Sequence, residues 1–155
     1  MLASLLLLAT TALAEPPEIA HGKDFGIGLQ LGSPITFTGK YWFDDKGGLA
    51  FHIGTWFAMY YEGRVQYERQ FVQFGDWDFG DLGMYFHGGV ATRYWTVPGV
   101  AHEFSMGPSA GAAGELRFKP VPAAVFVEMG TAVYVVGHDY SWVSINYAAG
   151  GRWYF

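Results

Sequence analysis

The residues of this 155-residue chain that could do chemistry are five histidines and a thin scatter of charged side chains. A zinc site wants three or four nitrogen, oxygen or sulfur ligands at short, regular spacing. His52 and His87 stand alone, while His102 and His138 adjoin Glu103 and Asp139 without a nearby third ligand, so no metal is assigned. The run His138-Asp139-Tyr140-Ser141 contains a hydroxyl, an imidazole and a carboxylate. Neighbours in one loop do not make the held nucleophile–base hydrogen bond that catalysis requires, so no catalytic residue is assigned either. Asp76, Asp78 and Asp81 in "GDWDFGDLG" lack the ligand order of an EF-hand and read as a solvated turn. The runs "GAAGE" and "AAGG" lack the strand-to-helix context of a phosphate loop, and no cofactor is expected. Without cysteine there is no thiolate chemistry and no disulfide, and a net charge of −5 offers no basic stripe to nucleic acid.

What positions the remaining charges is a repeated period-two alternation, the signature of strands. Eight segments carry it: Asp24–Leu31, Ile35–Phe43, Leu49–Phe57, Glu62–Phe71, Gly83–Trp95, Ser105–Phe118, Ala123–Val135 and Trp142–Phe155. Turn chemistry divides them at Gly32-Ser33-Pro34, at Asp44 to Gly48, in the acidic "GDWDFGDLG", and in "TVPGVAHEF", "KPVP" and "GHDYS". No segment reads as an amphipathic helix. The chain is expected to be a single all-β domain over residues 24–155.

Alternation assigns each side chain to a face. Ile27, Leu29, Phe37, Phe51, Ile53, Val65, Tyr67, Val90, Val125, Val127, Ile145 and Trp153 fall on one apolar face. The other face mixes Gly26, Gly28, Ala50, Gly54, Gly89, Ala91, Gly111, Ala113, Ala148 and Gly150 with a few long charged residues. A surface bathed in water has no need to be so small and so sparsely charged. A narrow barrel interior does, because long side chains must fit among small neighbours. The composition agrees: 51% hydrophobic, 19% aromatic and only 15% charged, against about 25% charged in ordinary soluble domains. The apolar face is therefore expected to meet lipid. Trp42, Trp56, Trp77, Trp95, Trp142 and Trp153 lie at predicted strand ends and are expected to form girdles at the membrane boundaries.

The final run "SINYAAGGRWYF" alternates Ile145, Tyr147, Ala149, Gly151, Trp153 and Phe155. A last strand of this pattern ending in phenylalanine resembles the signature of bacterial outer-membrane barrels, and "GIGLQLGSP", "GKYW" and "GRWYF" resemble stretches of short barrels of this size. The strand count is similar to that of the OmpA transmembrane domain and OmpX. The resemblance implies an eight-stranded antiparallel transmembrane up-and-down β-barrel in the cell outer membrane of a Gram-negative-type bacterium. It implies contact with outer-membrane lipid and recognition of Phe155 by the barrel assembly machinery. Residues 1–14, "MLASLLLLATTALA", read as a signal peptide cleaved after Ala14, followed by a polar linker over 15–23. Lipid A deacylases and palmitoyltransferases are small barrels too, but neither motif is matched.

Such barrels with eight strands enclose room only for side chains. A charge network of Lys40, Glu68, Glu115, Glu128 and Arg152 is expected in the lumen, with Arg64, Arg93 and Arg117 at its mouths. Counting heights from Phe155 places Glu128 between Glu115 and Arg152, with Arg152 and Lys40 neutralising the carboxylates. The expected protein is a monomer with a side-chain-plugged lumen and a structural or surface-interaction role, its surface ligand unspecified. A small porin-like channel is the alternative, and a lipid-modifying enzyme the third possibility.

Overall fold

The computed structural model describes residues 24–44, 46–57, 59–96, 103–137 and 143–155. The expected signal peptide, the polar linker, Trp142, His102 and the His138–Ser141 run lie outside the described residues. The elements are β1 (Phe25–Ser33), β2 (Ile35–Trp42), β3 (Gly47–Trp56), β4 (Tyr60–Trp77), β5 (Gly80–Trp95), β6 (Glu103–Phe118), β7 (Ala123–Val133), β8 (Val136–Gly137) and β9 (Val143–Tyr154). All pairings are antiparallel, β1 to β6 each join the next strand in sequence, β7 pairs β9, and β9 pairs β1, so the sheet closes on itself. The two-residue β8 continues the line of β7 along β6. The interruption falls beside Pro108 of β6, whose nitrogen has no hydrogen to give. The architecture is an eight-stave antiparallel up-and-down barrel, without helix among the described residues.

The faces follow the alternation. Leu29, Ile53, Val127 and Ile145 point outward and are 62–69% exposed, and the rest of the expected apolar face is exposed with them apart from half-buried Ile27. Inward positions are small where rings must cross. A Cβ on Gly26 would meet the Tyr154 ring at 2.7 Å, and one on Gly150 would meet Phe126 at 2.6 Å. On the outward face, Gly39 and Gly63 leave a groove of about 440 Å³ flanked by Phe37, Phe51 and Val65.

Two expectations are corrected. The acidic "GDWDFGDLG" is mostly strand: β4 runs to Trp77, β5 starts at Gly80, and only Asp78 and Phe79 turn. Two bulges, between Gln70 and Val72 and between Phe74 and Asp76, hide the alternation there. Gly75 at the second bulge has φ +67°, which a residue without Cβ adopts at no steric cost. The tryptophan girdle is only partial as well. Trp77 and Trp153 are exposed, but Trp42 is 1% exposed and points into the lumen, because it shares the parity of Lys40 on β2.

Candidate functional site: the charged lumen

Among the described residues, ten Lys, Arg, Asp and Glu side chains are buried inside the barrel: the cations Lys40, Arg64, Arg93, Arg117 and Arg152, and the carboxylates Glu62, Glu68, Asp81, Glu115 and Glu128. Their charges balance, so the lumen contributes nothing to the net −5 of the chain. Burying an unpaired charge is very costly, and eight of the ten pair with one another, while Asp81 lies 3.9 Å from Lys119 and Arg117 donates to Gln70.

Near the rim that carries Phe155, Lys40 Nζ lies 2.7 Å from Glu68 and 3.1 Å from Glu115. Arg152 Nη1 donates to the same Glu115 oxygen at 2.9 Å, while its Nε and Nη2 donate to Thr38. Tyr154 donates its hydroxyl to the other Glu115 oxygen at 3.1 Å. Rings close the space around these charges. Lys40 Nζ sits 3.9 Å from the centre of the Trp42 ring and 4.2 Å from that of Tyr85, and Arg152 lies over Phe126 at 3.9 Å. Desolvated cation–ring contacts of this kind are each worth about 2 kcal/mol. Arg117 donates to Gln70 at 3.3 Å on the rim side of this tier.

The second tier lies toward the opposite rim. Arg64 Nη1 meets Glu128 at 2.5 Å, and its Nε lies 3.3 Å from Glu62. Arg93 Nη2 donates to Glu62 at 2.9 Å and to Ser144 at 2.8 Å. Tyr134 donates its hydroxyl to Glu62 at 3.2 Å. The Arg93 guanidinium is held between the rings of Tyr60 at 4.3 Å and Tyr134 at 4.5 Å. His52 faces Glu128 at 3.9 Å through Nε2 and contacts Gln30 at 3.0 Å through Nδ1.

The structure brings Lys40, Glu68, Glu115 and Arg152 together, but it separates Glu128 from Arg152. This corrects the expected neighbours. Glu128 pairs in register with Ala113 and Ala148, whereas Arg152 pairs with Ala124 and Glu115 with Phe126. Glu128 is thus one inward step beyond Glu115 and two beyond Arg152, with the Phe126 ring between. Its cation comes from across the lumen, from Arg64, which the sequence placed at a mouth. Glu62 also escaped sequence reading, although it lies two residues before Arg64 and shares its parity. Asp81, expected in a solvated turn, is a buried residue of β5. No group of three or more metal-ligating side chains occurs among the described residues.

Elsewhere in the lumen, several buried polar atoms have no hydrogen-bond partner: Gln30 Nε2, Thr36 Oγ1 and Gln66 Oε1. Buried polar groups are normally satisfied by protein or by ordered water.

No protein-family model matches the chain, and no curated protein matches it. Among solved structures it is similar to the N-terminal β-barrel domain of Pseudomonas aeruginosa OprF, with a TM-score of 0.58 and 13% identity, over 85% of this chain and 96% of that one. Ail, the attachment invasion locus protein of Yersinia pestis solved with the heparin analogue sucrose octasulfate, aligns with a TM-score of 0.38 and 12% identity, over 85% of this chain and 94% of that one. The OprF likeness is one of fold: the chain is built as a small eight-stranded barrel of the outer-membrane type.

Proposed function

We propose that this chain is an outer-membrane protein whose barrel spans the bilayer as a monomer and whose lumen is closed by paired side chains. It serves membrane structure or surface contact rather than transport. The observation that carries this reading is the separation of the faces. Large apolar side chains stand exposed all round the outside, a belt far larger than a soluble monomer tolerates. Five cations and five carboxylates are enclosed within. Export through the 1–14 signal peptide, insertion guided by Phe155 and the assembly machinery, and a Gram-negative-type envelope complete the proposal. The barrel fold shared with OprF supports that location.

A small channel is the second reading, favoured by the buried lumen atoms without a hydrogen-bond partner, which water would satisfy. Planar-bilayer recording of the purified, refolded protein separates the two. A closed barrel gives insertion without discrete conductance steps. Reproducible single-channel steps from the wild type would replace the plug with a pore.

A further inference from the structure

Among the described residues, Arg117 is the buried lumen guanidinium that meets no carboxylate. Its Nη2 donates to Gln70 Oε1 at 3.3 Å, while Nε and Nη1 have no hydrogen-bond partner, although the residue is only 4% exposed. The carboxylates nearest it in the sheet are engaged elsewhere. Glu115, two positions earlier on β6, receives Lys40 and Arg152 on one oxygen and Tyr154 on the other. Asp81 stands opposite Arg117 in register but lies 3.9 Å from Lys119, which reaches in from the mouth. At the Phe155-side end, Lys40, Arg117, Arg152 and Lys119 thus face Glu68, Asp81 and Glu115, a surplus of one positive charge.

A second orphan borders the same region. On β5 the inward position between Asp81 and Tyr85 is Gly83. A Cβ there would lie 2.6 Å from the Tyr85 hydroxyl oxygen and 3.3 Å from Gln70 Oε1, so that hydroxyl and the oxygen that receives Arg117 flank one space. The Tyr85 hydroxyl is fully buried and has no hydrogen-bond partner either. The Trp42 ring stands on another side, 5.7 Å from the Arg117 guanidinium carbon.

We propose that Arg117 and Tyr85 bind one chloride-sized anion beside Gly83, inside the Phe155-side end of the lumen. The surplus of donors sets the chemistry of the ligand. Two N–H edges of the guanidinium and one O–H need an acceptor, and a buried cation without a counter-charge is very costly. Water answers only part of this, because it carries no charge and brings two more O–H donors to a place short of acceptors. A monatomic anion accepts from several directions and returns no donor. Larger oxyanions are excluded by size, since eight strands enclose room only for side chains. The site lies inside the wall, so it does not depend on what covers the outside of the barrel.

The test is the urea midpoint of the refolded protein in zwitterionic micelles, with sodium chloride replacing sodium gluconate at constant ionic strength. Constant ionic strength holds screening fixed, so the remaining effect is specific to the anion. The wild-type midpoint is expected to rise with chloride and then saturate. Arg117→Gln removes that dependence. Tyr85→Phe weakens the apparent chloride affinity roughly tenfold or more, the equivalent of one hydrogen bond to a charged group. Gly83→Ala keeps every charge but fills the space with a methyl group, so it also abolishes the chloride effect, and it decides the matter if Arg117→Gln does not fold. Crystals soaked in bromide should show anomalous scattering beside the Arg117 guanidinium. A wild-type midpoint indifferent to chloride overturns the proposal, and so does a dependence that Arg117→Gln or Gly83→Ala leaves unchanged. Bromide found solely on the outer surface, an adventitious ion only, overturns it as well.

Discussion

Arg64 and Glu128 stand 64 positions apart in the chain, yet their side chains meet at 2.5 Å across the lumen. Neither strand neighbours the other in the sheet, so the contact is made through the interior rather than along the wall. Removing Arg64 leaves the buried Glu128 carboxylate without its guanidinium, a change that typically costs about 3–5 kcal/mol. Removing the Glu128 charge leaves Arg64 its contact with Glu62 at 3.3 Å and costs less. Arg64→Met and Glu128→Gln are each expected to lower the urea midpoint of the barrel in lipid vesicles. The double variant is expected to cost less than the sum of the singles. Additive losses in that cycle would show that the pair is not coupled.

Glycines on the two faces should respond differently to the same methyl group. A Cβ on Gly111 would press against the Met129 carbonyl and come within 2.6 Å of His87 Nε2, whereas one on outward Gly151 finds its nearest atom at 3.5 Å. Gly111→Ala is expected to destabilise by about 1–3 kcal/mol, the usual range for overpacking. Gly151→Ala should leave the midpoint near that of the wild type. Denaturant unfolding of both variants checks the contrast, and equal effects would contradict the assignment of faces.

Val127 lies in the middle of the outward belt and is 62% exposed. An arginine there would be harmless on a surface facing water. On a barrel facing lipid it costs about 2–4 kcal/mol near the bilayer midplane. Val127→Arg should therefore lower folding stability in vesicles by that amount, and an unchanged stability would argue for a water-facing wall.

How much of this was legible beforehand depended on how faithfully each stretch kept its period. β2, β3, β7 and β9 alternate cleanly, and their faces could be read residue by residue. The second half of β4 could not, because the bulges after Gln70 and Phe74 shift the phase twice within "QFVQFGDW". Trp42 was misplaced for a different reason: position at a strand end suggested a rim, while parity with Lys40 already put it inside. The partner of Glu128 was out of reach, since counting residues from Phe155 ignores the stagger between neighbouring strands. Nothing in the sequence says which long side chains will cross a narrow lumen.

The turn between β2 and β3 supplies a pH test outside the spanning segments. Asp44 accepts hydrogen bonds from the backbone N–H of Lys46 at 2.8 Å and of Gly47 at 2.5 Å. These, the Lys46 bond foremost, together with Arg69, hold its carboxyl below the ordinary 3.8. A folded pKa below the unfolded value means that the contribution to stability is present above the unfolded pKa and is lost as pH falls through the folded one. Amide exchange at Lys46 and Gly47 should therefore rise, relative to the rest of the sheet, as the solution is acidified below that ordinary value. Asp44→Asn should remove most of the change. Exchange that follows the same profile in both proteins would rule out the carboxylate as its source.

The most direct test of the account is the electrophoretic mobility of the protein taken from the outer-membrane fraction of cells that express it, compared with and without heating. An intact barrel resists detergent and keeps its compact shape, so the account predicts recovery in that fraction and faster migration of the unheated sample than of the heated one. Recovery of the folded protein in the soluble periplasmic fraction, without detergent and without dependence on heating, would contradict it.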